Sequence, residues 1–367
     1  MSYPLADPQH IQFRALLKKV GSGAHTSKSL SREEAALATQ MMLEETATAA
    51  QIGAFMIAQR IKRPTPTELA GMLDTYDALG PMLSPIAHEC PVTVFSNPYD
   101  GRSRTAPINP LTALILAAAG APAVLHGSGR LPTKHGLPMV EIFSELGLHW
   151  TKLTRLAQVQ QILEQTGLGF VYQAVHFPQA EAMVSYREQI GKRPTLATVE
   201  IMWSPYIGHS NVVSGYVHPP TEARTQAAFT ERGTGFFTTV KGLEGSCDIA
   251  RDRTAIISLN HVEFGEPGES NALKTERLLL HPRDYGFEGP DPALGPVENL
   301  LSDYRDAIAG RPNEISRSAV WNSGFYLWRV GQAESIEAGF EKVRSLLTDG
   351  TVKDKLHQVS SAIETAL

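Results

Sequence analysis

Apolar residues recur at helical spacing from the start of the chain. Ile11, Phe13, Leu16, Leu17 and Val20 mark one side of a first helix that Gly21 closes. Three capping boxes follow, pairing Ser31 with Glu34, Thr48 with Gln51, and Thr65 with Glu68. In each, the hydroxyl accepts an orphan helix N–H while the third residue's side chain reaches back to the cap. Pro66 stands at the first helical position, where its missing N–H costs nothing. Ile52, Phe55, Met56 and Ile61 continue the helical period, then Leu69, Met72, Leu73 and Tyr76, with Gly80 as the stop. The pattern predicts a small N-terminal helical bundle domain over residues 1–85.

After Pro81 the period changes. Val92 to Phe95, Pro122 to His126, Gly169 to Tyr172, Val212 to Val217, Phe236 to Lys241 and Thr254 to Leu259 read as short buried strands. Helical stretches stand between them, including one opened by Asn109-Pro110 and one from Thr221 to Arg232; from Pro296 the chain turns helical again, with a run from Gln332 to Leu347. Alternating strands and helices predict a larger α/β domain over 86–367, with a mostly parallel central sheet flanked by helices. In such sheets ligands bind beyond the carboxyl ends of the strands, so chemistry is expected in the loops after Phe95, His126 and Lys241.

Composition narrows the class. With 42% hydrophobic and 19% charged residues the chain is not a disordered one, and a net charge of -5 does not advertise nucleic-acid binding, although a local basic patch can hide in that total. Cys90 and Cys247 are the only two cysteines and are far apart, so a disulfide framework or structural zinc site is not expected and a reducing compartment is. The first residues lack an apolar core, and no run approaches a membrane span. A cytoplasmic protein with no membrane partner is the expectation.

Three loops could carry chemistry. The first runs from Asn97 to Thr105 between a strand and a helix, where N–H groups and the helix dipole favour an anion. Asp100, Gly101, Arg102, Arg104 and Thr105 belong to it, and the arginines offer bidentate phosphate geometry; a solvated turn is the alternative. The second holds His126, Gly127, Arg130 and Lys134. Its glycines permit close approach of backbone to a ligand or merely a tight turn, and it does not match the P-loop pattern. In the third, Glu244 and Asp248 follow a strand and could hold a magnesium ion bridging a pyrophosphate, or simply decorate a surface turn. Arg187 lies near the end of a helix, where positive charge is favourable in itself.

In this order the loops resemble the anthranilate phosphoribosyltransferase family. Leu30 to Ala35, Ala50 to Ala58 and Glu68 to Gly71 look like that family's helical domain. His126-Gly127, Arg130, Lys134, Gly136 and Leu146-Gly147 sit like its HGNR…KSG…LG segment. Arg187, Gly191 and Arg193 resemble a segment whose first arginine touches the aromatic acid. The resemblance implies a helical dimerisation domain beside an α/β domain, a homodimer, and pentosyl transfer from a phosphorylated ribose. It also implies phosphate held by Arg102, Arg104, Arg130 and Lys134, a magnesium ion on Glu244 and Asp248, and an acceptor carboxylate on Arg187.

The departures are specific. Where the family has GTGGDG this chain has Ser96 to Gly101, with Pro98 and Tyr99 in place of glycines. Asn109 to Thr112 stands near the family's N-x-S-T element, Leu125 replaces a lysine, and a paired Asp-Glu becomes Cys247-Asp248. The pattern is similar to divergent YbiB-type paralogues. It implies a protein other than the ordinary tryptophan-pathway enzyme, or a non-catalytic dimer that binds a nucleotide or, weakly, nucleic acid in the same basic cleft.

Overall fold

The computed structural model of the chain describes residues 7–23, 25–266 and 269–367. Four helices come first: α1 (Pro8–Val20), α2 (Arg32–Leu43), α3 (Ala49–Lys62) and α4 (Pro66–Leu79). All three capping boxes form as the sequence requires. Glu68 does more than cap α4. Its buried carboxylate also accepts from the Leu30 N–H at 2.9 Å, the Gln59 amide at 3.2 Å and Lys62 Nζ at 2.7 Å. One side chain thereby joins α3, α4 and the segment before α2. Burial pulls this carboxyl upward, but the donors outweigh it and hold the group below its ordinary range.

The chain then alternates through β1 (Val92–Ser96), α5 (Asn109–Ala118), β2 (Ala123–Gly127), α6 (Met139–Glu145), α7 (Leu156–Thr166) and β3 (Leu168–Tyr172). Next come α8 (Gln173–His176), α9 (Pro178–Ile190), α10 (Leu196–Glu200), β4 (Ser210–Gly215), α11 (Pro219–Arg232) and β5 (Phe236–Val240). A hairpin of β6 (Ala255–Glu263) and β7 (Ala272–Leu280) leads into α12 (Val297–Ile308), α13 (Glu314–Arg329), α14 (Ile336–Thr348) and α15 (Thr351–Ala366). The strands form one seven-stranded sheet in the order β3-β2-β1-β4-β5-β6-β7. The first five are parallel, and the hairpin adds two antiparallel strands at one edge.

Two details differ from the sequence pattern. β7 was not legible, because an edge strand facing water carries polar residues such as Lys274, Thr275, Glu276 and Arg277 instead of an apolar run. The helix expected from Gln332 begins at Ile336, since Ser335 supplies the cap.

The larger core lies between the sheet and helices that include α5, α7 and α13–α15. The smaller one joins α1–α4 to Phe177, Met183, Leu196, Trp203 and Phe229, so the bundle shares its interior with α9–α11. Tyr76, Phe177 and Trp203 meet there with ring centroids 5.3 to 5.8 Å apart. The sequence order reverses between β1 and β4, which are neighbours in the sheet. A crevice at the carboxyl ends of these two strands is where such a fold binds ligands. Among the described residues, no helix is long and apolar enough to cross a membrane.

Candidate functional site

The first two loops are zipped together by backbone. Arg102 and Leu137 exchange hydrogen bonds at 3.1 and 2.8 Å, and the Gly136 N–H donates to the Asp100 carbonyl at 3.0 Å. Gly101 sits at φ +76°, and a Cβ there would lie 2.5 Å from the Gly136 oxygen. Gly101 and Gly136 serve the approach of one loop to the other.

His126 is fully buried at the end of β2. Ser96 gives its proton to the Trp203 carbonyl at 2.9 Å, so His126 Nε2–H donates to Ser96 Oγ at 3.2 Å and Nδ1 accepts from the Tyr99 hydroxyl. Burial lowers its pKa to about 3, so the ring is neutral. Tyr99, itself buried, packs across it with centroids 5.5 Å apart. His126 is therefore a core residue and does not face a ligand.

The expected phosphate donors are largely paired within the protein. Arg102 Nη1 donates to Asp248 Oδ2 at 2.7 Å and to Ser246 Oγ at 2.5 Å, and Nε reaches Glu244 Oε1 at 3.4 Å. Lys134 Nζ pairs with Glu244 Oε2 at 3.1 Å, and Arg130 with Glu141 at 2.7 Å. Arg104 is the most exposed of them, at 79%, and reaches Glu244 only at 3.9 Å. Glu244 stands at φ +55°, an uncommon region for a residue with a Cβ, and the N–H groups of Arg104 and Thr105 donate to its carboxylate at 3.0 and 3.1 Å. Burial would raise this carboxyl; those N–H groups, with Arg102 and Lys134, instead hold it far below the carboxylate range.

Around Arg102, Asn109, Gly127 and Asp248 the space left between the loops is about 20 Å³, room for one water and no more. Asn109 Nδ2 and Asp248 Oδ1 are buried there without a protein partner. A second, open cavity of about 650 Å³ lies beside it, at the carboxyl ends of β1 and β4 and under the end of α3. Asp100, Arg187 and Glu244 line it, together with Arg60, Arg63, Arg193, Glu200 and Arg224. The structure thus divides the expected site residues. Asp100, Arg187 and Glu244 reach the open cavity; Gly101, Arg102, Asn109, Gly127 and Asp248 border the small void.

Charge in the open cavity is unbalanced. Asp100 pairs with Arg193 at 2.6 Å, and Glu200 with Arg187 at 2.6 Å. Arg60, Arg63 and Arg224 have no carboxylate within ion-pair distance among the described residues. Burial and the neighbouring Arg63 charge both lower the pKa of Arg224. Thr195 and Glu200 line the same cavity; Thr195 Oγ1 and Glu200 Oε2 are buried without partners, and burial raises the Glu200 carboxyl despite Arg187. Sequence reasoning missed Arg60, Arg63, Glu200 and Arg224. Arg60 lies in the last turn of α3 and Arg63 at its C-cap, where positive charge is favourable in itself, and 160 residues stand between Arg63 and Arg224.

The residues expected to hold magnesium do not fit the ion. Glu244 and Asp248 already face Arg102, with Lys134 beside Glu244, and the Ile108 N–H fills another position on Asp248 Oδ2 at 3.0 Å. Among the described residues, no group of three or more His, Cys, Asp or Glu could hold a metal ion. Cys247, where the resemblance has a carboxylate, is a buried thiol whose Sγ–H points at backbone carbonyls.

A helical bundle packed beside a mostly parallel sheet, with guanidiniums gathered around a cavity at the strand reversal, defines an α/β protein with a basic cleft where such folds bind ligands. The chain belongs to the glycosyl transferase family: residues 14–80 match its helical bundle domain and residues 101–353 its a/b domain. The anthranilate phosphoribosyltransferase of Azorhizobium caulinodans is 25% identical, over 96% of this chain and 97% of that protein. An uncharacterised protein of Aquifex aeolicus is 27% identical, over 86% and 93%. Among solved structures, the anthranilate phosphoribosyltransferase of Saccharomyces cerevisiae in complex with PRPP and Mg superimposes with a TM-score of 0.79 at 12% identity, covering 97% of this chain and 98% of that one. The enzyme of Thermus thermophilus gives 0.71 at 17% identity, covering 95% and 99%.

Proposed function

We propose that this protein is a pentosyl transferase that takes a phosphorylated ribose, such as phosphoribosyl pyrophosphate, into the arginine-lined cavity. The observation that carries the reading is the convergence of Arg60, Arg63 and Arg224, without carboxylate partners among the described residues, beside the Arg187–Glu200 pair. In pentosyl transfer the bond from the anomeric carbon to pyrophosphate breaks as an acceptor attacks. Negative charge grows on the leaving group, and guanidiniums already fixed in place stabilise it without reorganising. Glu200, in the wall of the same cavity, is the carboxylate placed to take a hydrogen bond from an acceptor N–H or O–H. The anthranilate reaction itself is expected to be very slow. Tyr99 and Arg102 fill the space between the first two loops, and the Arg187 charge is already matched by Glu200.

Calorimetry with phosphoribosyl pyrophosphate tests the site, and release of pyrophosphate across a panel of aromatic and base acceptors tests the reaction. Arg63→Ala and Arg224→Ala should each weaken binding roughly tenfold, the worth of one charge-assisted hydrogen bond. Unaltered affinity in both variants, or no turnover with any acceptor, rejects the transferase reading. The filled space near Asp248 favours one second reading, a nucleotide or nucleic-acid ligand held without reaction. Binding that falls steeply with salt, with no pyrophosphate released, selects it.

A further inference from the structure

Glu244, at the wall of the open cavity, and Asp248 behind it form a buried acidic pair, with side chains 2% and 0% exposed. Between them lies one guanidinium. Arg102 donates to Asp248 Oδ2, Ser246 Oγ, Glu244 Oε1 and Thr105 Oγ1, which makes an all-oxygen shell of two carboxylates and two hydroxyls. Such a shell is what a hard divalent cation selects. We propose that Arg102 is a built-in cation standing in the place of a divalent metal ion, so that the loops after β1 and β5 are held together without one.

Charge supports the substitution. Two carboxylates bring two negative charges, and Arg102 with Lys134 brings two positive ones, the sum a divalent ion would supply. Arg104, 79% exposed, adds a solvated positive charge 3.9 Å from Glu244. The cluster therefore has no negative charge left over, and an added ion would stand uncompensated beside a buried guanidinium. Geometry supports it as well. The N–H groups of Arg104, Thr105 and Ile108 take further positions on the carboxylates, leaving Asp248 Oδ1 as the buried oxygen without a partner. The space that Asp248 borders is about 20 Å³, too small for an ion that keeps several of its waters. A guanidinium on its own chain cannot be removed by a chelator.

The test is a manganese titration of the full-length chain followed by paramagnetic resonance, with melting curves in EDTA and in magnesium chloride. This needs no sugar phosphate, so its outcome is separate from that of the transferase reading. The wild-type protein should show no saturable manganese site, and its melting midpoint should be the same in both buffers. Arg102→Met leaves the oxygen shell without its cation. That variant should melt lower in EDTA, recover in part with magnesium, and bind manganese about tenfold or more tighter than the wild type. Arg102→Lys keeps a charge in the shell and should stay blind to metal. A saturable manganese site in the wild-type protein that Glu244→Gln or Asp248→Asn abolishes would overturn the proposal, whether or not Arg102→Met folds. So would an Arg102→Met protein that folds and gains no manganese affinity.

Discussion

Glu244 and His126 show how single residues here are fixed by what surrounds them. The backbone strain at Glu244 persists because the N–H groups after Gly101 converge on its carboxylate. Removing that carboxylate leaves Arg102 with Asp248 alone and Lys134 with no acid. Glu244→Ala should therefore cost about 3 kcal/mol of unfolding free energy, measured by urea denaturation. A loss under about 0.5 kcal/mol would mean that the pair behaves as a solvent-screened one. His126 has the opposite relation to charge. Its pKa is about 3 folded and about 6.5 unfolded. As pH falls through that interval, the unfolded chain takes up a proton that the folded chain refuses. Stability is thus full above about pH 6.5 and declines below it, by up to about 1.4 kcal/mol per pH unit. The depressed Glu244 carboxyl adds to the decline below about pH 4.3, the ordinary glutamate value. Denaturation midpoints measured from about pH 7.5 to 4.5 should show this fall, and His126→Gln should flatten it.

The helical elements differ in how much one residue carries. The Thr48 cap satisfies a single helix N–H, so Thr48→Ala should cost about 1 kcal/mol. Glu68 caps α4 and also accepts from Leu30, Gln59 and Lys62 inside the bundle, so Glu68→Ala should cost about 3 kcal/mol or more. Thermal melts of the two variants side by side check the ranking, and equal losses would contradict it. α2 and α4 touch at Gly71, where a Cβ would sit 2.0 Å from the Arg32 carbonyl oxygen. Gly71→Ala should destabilise by about 1–3 kcal/mol through overpacking, although alanine is the better helix former.

On the scale of the whole molecule, the bundle shares its core with α9–α11 and still leaves Ile11 and Ile61 outside, 45% and 74% exposed on neighbouring helices. We propose the outer surface of the bundle, with Ile61 at the end of α3, as the contact of a homodimer. Light scattering should give twice the chain mass, and Ile61→Glu should shift the protein toward half that value. A wild-type monomer at micromolar concentration would remove the dimer. The net charge of -5 also conceals a local field. Five arginines line the cavity against three acids, each of which is paired, so anionic ligands should associate faster at low salt than at high salt.

The sequence by itself determined what depends on neighbours along the chain. Capping boxes, the 3.6-residue period of the bundle and the alternation of buried strands with helices are local signals, and they placed α1–α4 and six of the seven strands. β7 escaped because a solvent-facing edge strand needs no apolar run. The motif order also carried the family resemblance. The distribution of charge was a tertiary matter. Arg102 and Glu244 are 142 positions apart, and Arg187 and Glu200 only 13, yet neither pairing is written in a spacing. Nothing in the sequence gathers Arg60, Arg63 and Arg224; the fold sets the end of α3 and the start of α11 around one cavity. A loop's composition states which charges are present. Only the folded chain, by bringing distant loops within hydrogen-bond reach and excluding water, decides which of them neutralise one another and which remain for a ligand.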